Sequence, residues 1–273
     1  MGTLLKKVSF NAFMIMIGLL MVVPFIFMIS ASFKAPADVF VNPMQIIPDK
    51  IFTLNYKTIF NHEFYFQWYW NSIQVVVLTV LFRGIFVTMA AYAFARLNFR
   101  GKNILFLLLL CSMMIPPDTT IVSRFLLYGY LGLNNTQWAI ILPATFDVFF
   151  IFLLRQFFMS IPKDLTEAAI IDGASHIRIF FKIMLPLSVP VLITMALFTF
   201  IWTWNDFVNP FIFISDIEKQ LVTVGLEYFQ LEAGQNYALQ MAGSCLIVLI
   251  PMILFGFLQK YFIEGITMSG VKG

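Results

Sequence analysis

Residues 71–102 read NSIQVVVLTVLFRGIFVTMAAYAFARLNFRGK, and the reading of this stretch decides the fold. Between Asn71 and Ala95 the one charged side chain is Arg83; Arg96, Arg100 and Lys102 then crowd into seven residues. As a helix, the stretch from Asn71 to Ala95 rises about 1.5 Å per residue and crosses about 30 Å of hydrocarbon. The basic cluster behind it marks the end that stays in the cytoplasm.

The same pattern recurs outward in both directions. Apolar segments at about 8–31, 103–122, 136–158, 189–214 and 238–258 join 71–95 as expected spans. Hydrophobic residues make up 60% of the 273 and charged residues only 11%, with mean hydropathy +0.89. A soluble domain carries about 25% charged residues, so lipid must solvate much of this chain. The expected fold class is all-α integral membrane, one six-span domain over residues 1–273. The run Val8–Ala31 follows Lys6-Lys7 and exceeds the about 7–15 residues of a signal-peptide core. It is expected to be an uncleaved first helix.

Basic residues set the orientation. With the N-terminus inside, Lys6, Lys7, Arg96, Arg100, Lys102, Arg155, Lys163, Arg178, Lys182, Lys260 and Lys272 are interior. Only Lys34, Lys50, Lys57, Arg124 and Lys219 are exterior. A multi-pass protein of the cytoplasmic membrane, with both termini cytoplasmic, is expected. The aromatic cluster Phe64, Tyr65, Phe66, Trp68, Tyr69 and Trp70 closes the exterior 32–70 connection and reads as an interfacial belt.

Composition also excludes. A net charge of +3 spread over short loops offers no nucleic-acid surface. Cys111 and Cys245 lie in apolar runs and read as small hydrophobes, and His62 and His176 lack companions at metal-ligand spacing. No G-x-x-x-x-G-K-[ST] phosphate loop occurs, and no nucleophile–base–orienter set points to an enzyme.

The cytoplasmic connection 159–188 is the most informative segment. Ser160, Pro162 and Asp164 read as a helix start, and Gly173 as the left-handed residue that ends it. Ile177, Phe180, Phe181 and Met184 then recur at helical spacing, with Arg178 and Lys182 on another face. Two short helices bent at a glycine should display Glu167 and Asp172 at the inner surface.

The run Glu167-Ala168-Ala169, three residues, Gly173, nine residues, Ile183, one residue, Leu185-Pro186 resembles the EAA loop of permeases in binding-protein-dependent ABC importers. The sugar-importer branch is further resembled at Ala91-Tyr92-Ala93-Phe94-Ala95-Arg96, Met113-Met114-Ile115-Pro116-Pro117, Phe152–Phe158, Trp204-Asn205-Asp206-Phe207 and the ending Gly270-Val271-Lys272-Gly273. The resemblance spans essentially the whole chain and implies a six-span type I ABC transporter permease, the second of a pair. It also implies partners: a homologous permease, a cytosolic ATPase dimer and an extracytoplasmic solute-binding protein. ATP and Mg would sit on the ATPase, with no cofactor on this chain. Glu167, Ala168, Ala169, Asp172 and Gly173 would form the ATPase-coupling element, and the solute would be a carbohydrate, most naturally an oligosaccharide.

Within the spans, Arg83 and Asp147 stand at matching depth about halfway through their helices, and Ser72, Thr79 and Arg83 share one stripe. Intramembrane charges pair or face water, so the two are expected to pair across the solute path. Trp204, Asn205 and Asp206 combine a ring, an amide and a carboxylate, groups suited to sugar hydroxyls. Exterior Asp216, Glu218, Glu227 and Glu232 lie in the 215–237 loop, which resembles the family segment facing the binding protein. The rival reading is a proton-coupled secondary carrier using Arg83 and Asp147.

Overall fold

The computed structural model describes residues 2–234 and 236–270; side chains are described outside 2–5, 230–233, 258 and 260–270. The side chains of Glu232, Lys260 and Lys272, and the Val271-Lys272-Gly273 end of the final motif, lie outside the described residues. Every described regular element is helical.

The first helix, α1 (Gly2–Ser32), runs unbroken through Pro24. After a short turn at Pro36–Asp38 come α2 (Leu54–Phe60) and the long α3 (Tyr65–Arg96). The third span is α4 (Lys102–Ser112) and α5 (Ile121–Tyr130), the fourth α6 (Trp138–Thr145) and α7 (Val148–Ser160). The 159–188 connection holds α8 (Lys163–Ile171), α9 (His176–Ile179), a π-helical turn Phe180–Met184 and α10 (Leu185–Leu187). Then follow α11 (Val189–Trp204), α12 (Val208–Phe213), α13 (Val222–Ala233) and α14 (Tyr237–Gly270), the last continuous through Pro251.

Among the described residues four stretches are long and apolar enough to cross a membrane alone: Lys6–Ser32, Tyr65–Arg96, Trp138–Ser160 and Tyr237–Phe257. Two bent pairs raise the number to six, Lys102–Ser112 with Pro117–Leu131 at 90° and His176–Leu187 with Val189–Trp204 at 75°. The third span is therefore not the straight segment 103–122 that hydropathy suggests, and the fifth, expected over 189–214, is one helix only from Val189 to Trp204. Pro116-Pro117 supplies two residues without a backbone donor and forces Ile115 away from helical geometry. In the fifth span the chain leaves α11 at Trp204, where Asn205 Nδ2 turns back to donate to Ile201 O at 2.8 Å. Aromatic residues 65–70, expected in a loop, instead form the first turns of α3, with Tyr65 and Trp68 buried and Phe66 and Trp70 exposed. The 215–237 segment, expected to be exterior, holds α13.

The chain divides into two compact units. One comprises residues up to 66 with 222–253. In it Ala31, Val39 and Ala238 form a buried cluster, and Asn55 Nδ2 donates to Ser32 O and Lys34 O at 2.9 and 3.0 Å. The other comprises 67–221 with the chain from 254 onward. Its largest core draws Val87, Ala91 and Tyr92 from α3, Phe106 from α4, Phe150, Leu154 and Phe158 from α7, and Met195 from α11. The same core takes Ile179, Phe180 and Met184 from the 159–188 connection, so that connection is rooted among the spans.

Between α6 and α7 the chain is extended, with φ/ψ of −99/97 at Phe146 and −116/111 at Asp147. Pro143 has already removed one donor from this region. Asp147 caps the new helix: its Oδ1 accepts from Phe149 N at 2.9 Å and Phe150 N at 3.4 Å. Its Oδ2 stands 3.4 Å from Arg83 Nη1. Arg83, 5% exposed, also donates from Nε to Ala144 O at 2.7 Å and from Nη1 to Thr199 Oγ1 at 2.9 Å. The pairing read from depth is present, and Ser72 and Thr79 share the buried stripe. One guanidinium thus joins α3, both halves of the broken fourth span, and α11.

Removing one charge strands the other away from water, at about 3–5 kcal/mol. Arg83→Gln and Asp147→Asn should each lower the yield of assembled protein and its thermal midpoint in detergent. The double variant keeps an amide donor for Ala144 O and a cap for α7 without either charge, and should recover most of the loss. Double-variant stability no better than the worse single would show the two charges to be independent.

Candidate functional site

α8 begins at Lys163 behind Pro162, which stands at the N-cap with ψ 136 and carries no capping side chain. Ser160, expected to cap it, closes α7 instead, its Oγ donating to Phe157 O at 2.7 Å. The far end follows the sequence reading closely. Gly173 has φ +80, its N–H donates to Ile170 O at 2.9 Å, and Ala174 N donates to Ala169 O at 2.8 Å. This paired 5→2 and 6→1 arrangement is the Schellman motif, which satisfies the last carbonyls of α8 and reverses the chain. Ser175 then caps α9, its Oγ accepting from Arg178 N at 3.4 Å.

The elbow presents Glu167, Ala168, Asp172 and Gly173 to the outside, with Ala169 half-buried. Around them Leu165, Ile171 and Ile177 are exposed, Ile171 to 85%. The apolar stripe expected from Ile177, Phe180, Phe181 and Met184 is only half correct. Phe180 and Met184 are buried together with Ile179, whereas Ile177 and Phe181 face outward. The wide turn at Phe180–Met184 shifts the register that a regular 3.6-residue period assumes.

Two side chains of α3 hold the connection at both ends. Arg96 Nη2 donates to Phe158 O at 2.7 Å and Ile161 O at 2.5 Å, gripping the chain just before α8. Tyr92 Oη donates to His176 O at 3.3 Å, just beyond the elbow. In the sequence Tyr92 stands out only within a resembling motif, and Arg96 there and as an orienting charge. Their i, i+4 spacing on the last turns of a span is the signal that they act on one face. The chain on either side of α8 is thus tied to α3.

The outer candidates are separated by the fold. Trp204 is 2% exposed and lies against Tyr69 and Phe200, with centroids 6.1 and 5.8 Å away. Asn205 folds back on α11, and Asp206 accepts from Asn209 N at 3.1 Å and from Asn209 Nδ2 at 2.8 Å, starting α12. Arg124 Nη1 stands 3.4 Å from Asn209 Oδ1, and Trp202, not Trp204, is the exposed ring. Arg83 directs its donors to protein atoms, so of that pair Asp147, 20% exposed at its side chain, has the larger surface for a solute.

On the expected exterior face, Trp68 Nε1 donates to Ile217 O at 2.6 Å, and Asn71 Nδ2 to Glu218 O and Gln220 O at 2.9 and 3.0 Å. Asp216 accepts from Lys219 Nζ and Asn135 Nδ2, each at 2.7 Å. These two bonds hold its carboxyl below the usual carboxylate range. This knot is fully formed above the ordinary carboxylate pKa of about 3.9 and is lost as pH falls through the depressed value. Among the described residues no group of His, Cys, Asp or Glu stands ready to hold a metal ion.

Residues 84–267 match the family described as binding-protein-dependent transport system inner membrane component. The arabinooligosaccharides transport system permease protein AraQ of Halalkalibacterium halodurans is 36% identical, over 94% of this chain and 93% of that protein. The osmoprotective compounds uptake permease protein GgtD of Synechocystis sp. is 34% identical, over 86% of this chain and 79% of that protein. Among solved structures, a chain of a bacterial ABC transporter involved in import of the acidic polysaccharide alginate is 25% identical. It superposes with a TM-score of 0.80 over 94% of this chain and 96% of that one. With its spans, its elbow and these likenesses together, the chain belongs to the binding-protein-dependent transport system inner membrane components, as a type I ABC importer permease.

Proposed function

We propose that this permease forms one half of a translocation path for a carbohydrate, an oligosaccharide in particular, delivered by an extracytoplasmic binding protein. A second, homologous permease supplies the other half. The observation that carries the reading is the elbow: a short helix closed by Gly173 presents small and apolar side chains outward, while Tyr92 and Arg96 tie its two ends to α3. Such a projection suits a groove on a cytosolic ATPase dimer, where ATP and Mg are held. Glu167, Ala168, Ala169, Asp172 and Gly173 are the docking residues, and exposed Leu165 and Ile171 add apolar area. The named cargo of AraQ and of the alginate transporter supports a saccharide; that of GgtD widens the class to other osmotically active solutes.

The permease lies in the cytoplasmic membrane with both termini inside, on the balance of Lys and Arg among the loops. A proton-coupled carrier is not favoured. The family depends on binding proteins, and Arg83 and Asp147 are engaged in closing a helix break. In proteoliposomes, import should require ATP and the binding protein and should ignore a proton ionophore.

Coupling is tested at Gly173. No atom lies within 4 Å of where a Cβ would stand, so a substitution there acts through φ +80 alone. A left-handed non-glycine residue costs about 1–3 kcal/mol. Gly173→Val should therefore lower transport and binding-protein-stimulated ATP hydrolysis together, by about tenfold or more, with membrane insertion unchanged. Full transport with normal stimulation would show that the elbow is not the docking element.

Orientation is tested by labelling a cysteine-free background. Arg100→Cys and Glu218→Cys both replace exposed residues. A membrane-impermeant thiol reagent should reach residue 100 only in opened cells or inverted vesicles, and residue 218 in intact cells from which any outer membrane has been stripped. The opposite pattern would reverse the topology and remove the elbow from the cytosol.

A further inference from the structure

At the end of α3 opposite its exterior turns, the α3–α4 connection and α7 enclose a concavity of about 600 Å³. Asn98, Phe99, Gly101, Lys102, Asn103, Ile104, Arg155 and Met159 line it together with Ala95, and none of these residues is acidic. Arg155 is fixed by Nε donating to Phe94 O at 3.2 Å, with its guanidinium carbon 4.1 Å from the centre of the Phe106 ring. Neither of its Nη atoms has a hydrogen-bond partner among the described residues. Lys102 Nζ reaches Leu97 O at 2.8 Å and Ala95 O at 3.5 Å, and Arg155 and Lys163 both press like charge on it. Among the described residues no carboxylate pairs with Lys102 or Arg155. The pocket therefore concentrates positive charge that the described residues leave unneutralised.

What lies beside the pocket narrows the counter-charge. Ile104 on its wall is 67% exposed, and Leu107 and Leu108 further along α4 are 59% and 60% exposed. Ile104, Leu108 and Cys111 follow at i, i+4 and i+7 and make one apolar rail in the direction of the span. A soluble anion would use the cations and leave the rail unexplained. A phospholipid uses both, because basic pockets beside transmembrane helices on the cytoplasmic side suit anionic headgroups.

We propose that this pocket is a binding site for an anionic phospholipid of the inner leaflet. Its phosphodiester is held by Lys102 and Arg155, and one acyl chain lies along Ile104, Leu108 and Cys111. Arg96, which grips the start of the elbow, belongs to the same turn of chain, so the bound lipid braces the α3 end that carries the coupling element. Assignment to the inner leaflet rests on the orientation proposed above. The labelling experiment decides that orientation separately, since lipid retention is read without reference to side.

The test is native mass spectrometry of the assembled transporter titrated with phosphatidylglycerol, phosphatidylcholine and soluble glycerol 3-phosphate. Phosphatidylglycerol should be retained in preference to phosphatidylcholine. Lys102→Gln with Arg155→Gln should weaken it roughly thirtyfold, at about fivefold for each cation near a membrane surface. Because Arg155 also supports Phe94 O, a second variant avoids the packed residues: Asn98→Asp with Asn103→Asp alters two exposed positions and should weaken retention in the same direction. Lys6→Gln with Lys7→Gln removes the same charge elsewhere on the expected inner face and should leave retention unchanged. Three results would each overturn the site: undiminished retention in both pocket variants, equal loss in the Lys6/Lys7 control, or equal retention of phosphatidylcholine. Displacement of the lipid by glycerol 3-phosphate at comparable concentration would replace it with a site for soluble phosphate esters.

Discussion

A helix that breaks in mid-membrane leaves backbone groups with no water to turn to, and a guanidinium at the same depth has the same need. In this protein each supplies what the other lacks. Ala144 offers a carbonyl at the end of α6, Asp147 offers a carboxylate at the start of α7, and Arg83 reaches both while also donating to Thr199 of α11. Phe150 completes the shell, its ring centre 5.4 Å from the guanidinium carbon. The extended residues Phe146 and Asp147 are thus stable only with α3 beside them, and α3 tolerates its charge only beside the break. From that point α7 leads directly to the elbow.

At its C-terminal end the same helix acts a second time. Tyr92 and Arg96 lie two to four turns beyond Arg83 on α3 and bond to carbonyls on both sides of α8. Ile179, Phe180 and Met184 then set that connection into the core shared by α3, α7 and α11. Side chains and carbonyls, not the loop sequence alone, hold the elbow against the spans.

How much of this was legible depended on the range of the interaction. The Gly173 turn was readable because left-handed backbone and helix closure are local demands. Ser160 misled for the opposite reason: its hydroxyl could cap the next helix or bond back into its own, and the continuation of α7 to Ser160 decided the second. Trp204, Asn205 and Asp206 looked like one cluster in sequence. The break after α11 sends the ring inward, the amide backward and the carboxylate to the start of α12.

Composition, the spacing of apolar runs and the placement of Lys and Arg determined by themselves that this is a multi-span helical membrane protein. Those properties are sums over neighbouring residues and need no partner in space. The depth match of Arg83 with Asp147 also followed from counting along two helices. The bend in the third span, the break in the fifth, the carbonyls bound by Arg96 and the basic pocket around Lys102 and Arg155 come only from tertiary structure. Each depends on which carbonyl, ring or charge a distant segment brings within about 3–4 Å, where hydrogen bonds and ion pairs act, and sequence separation carries no record of that distance.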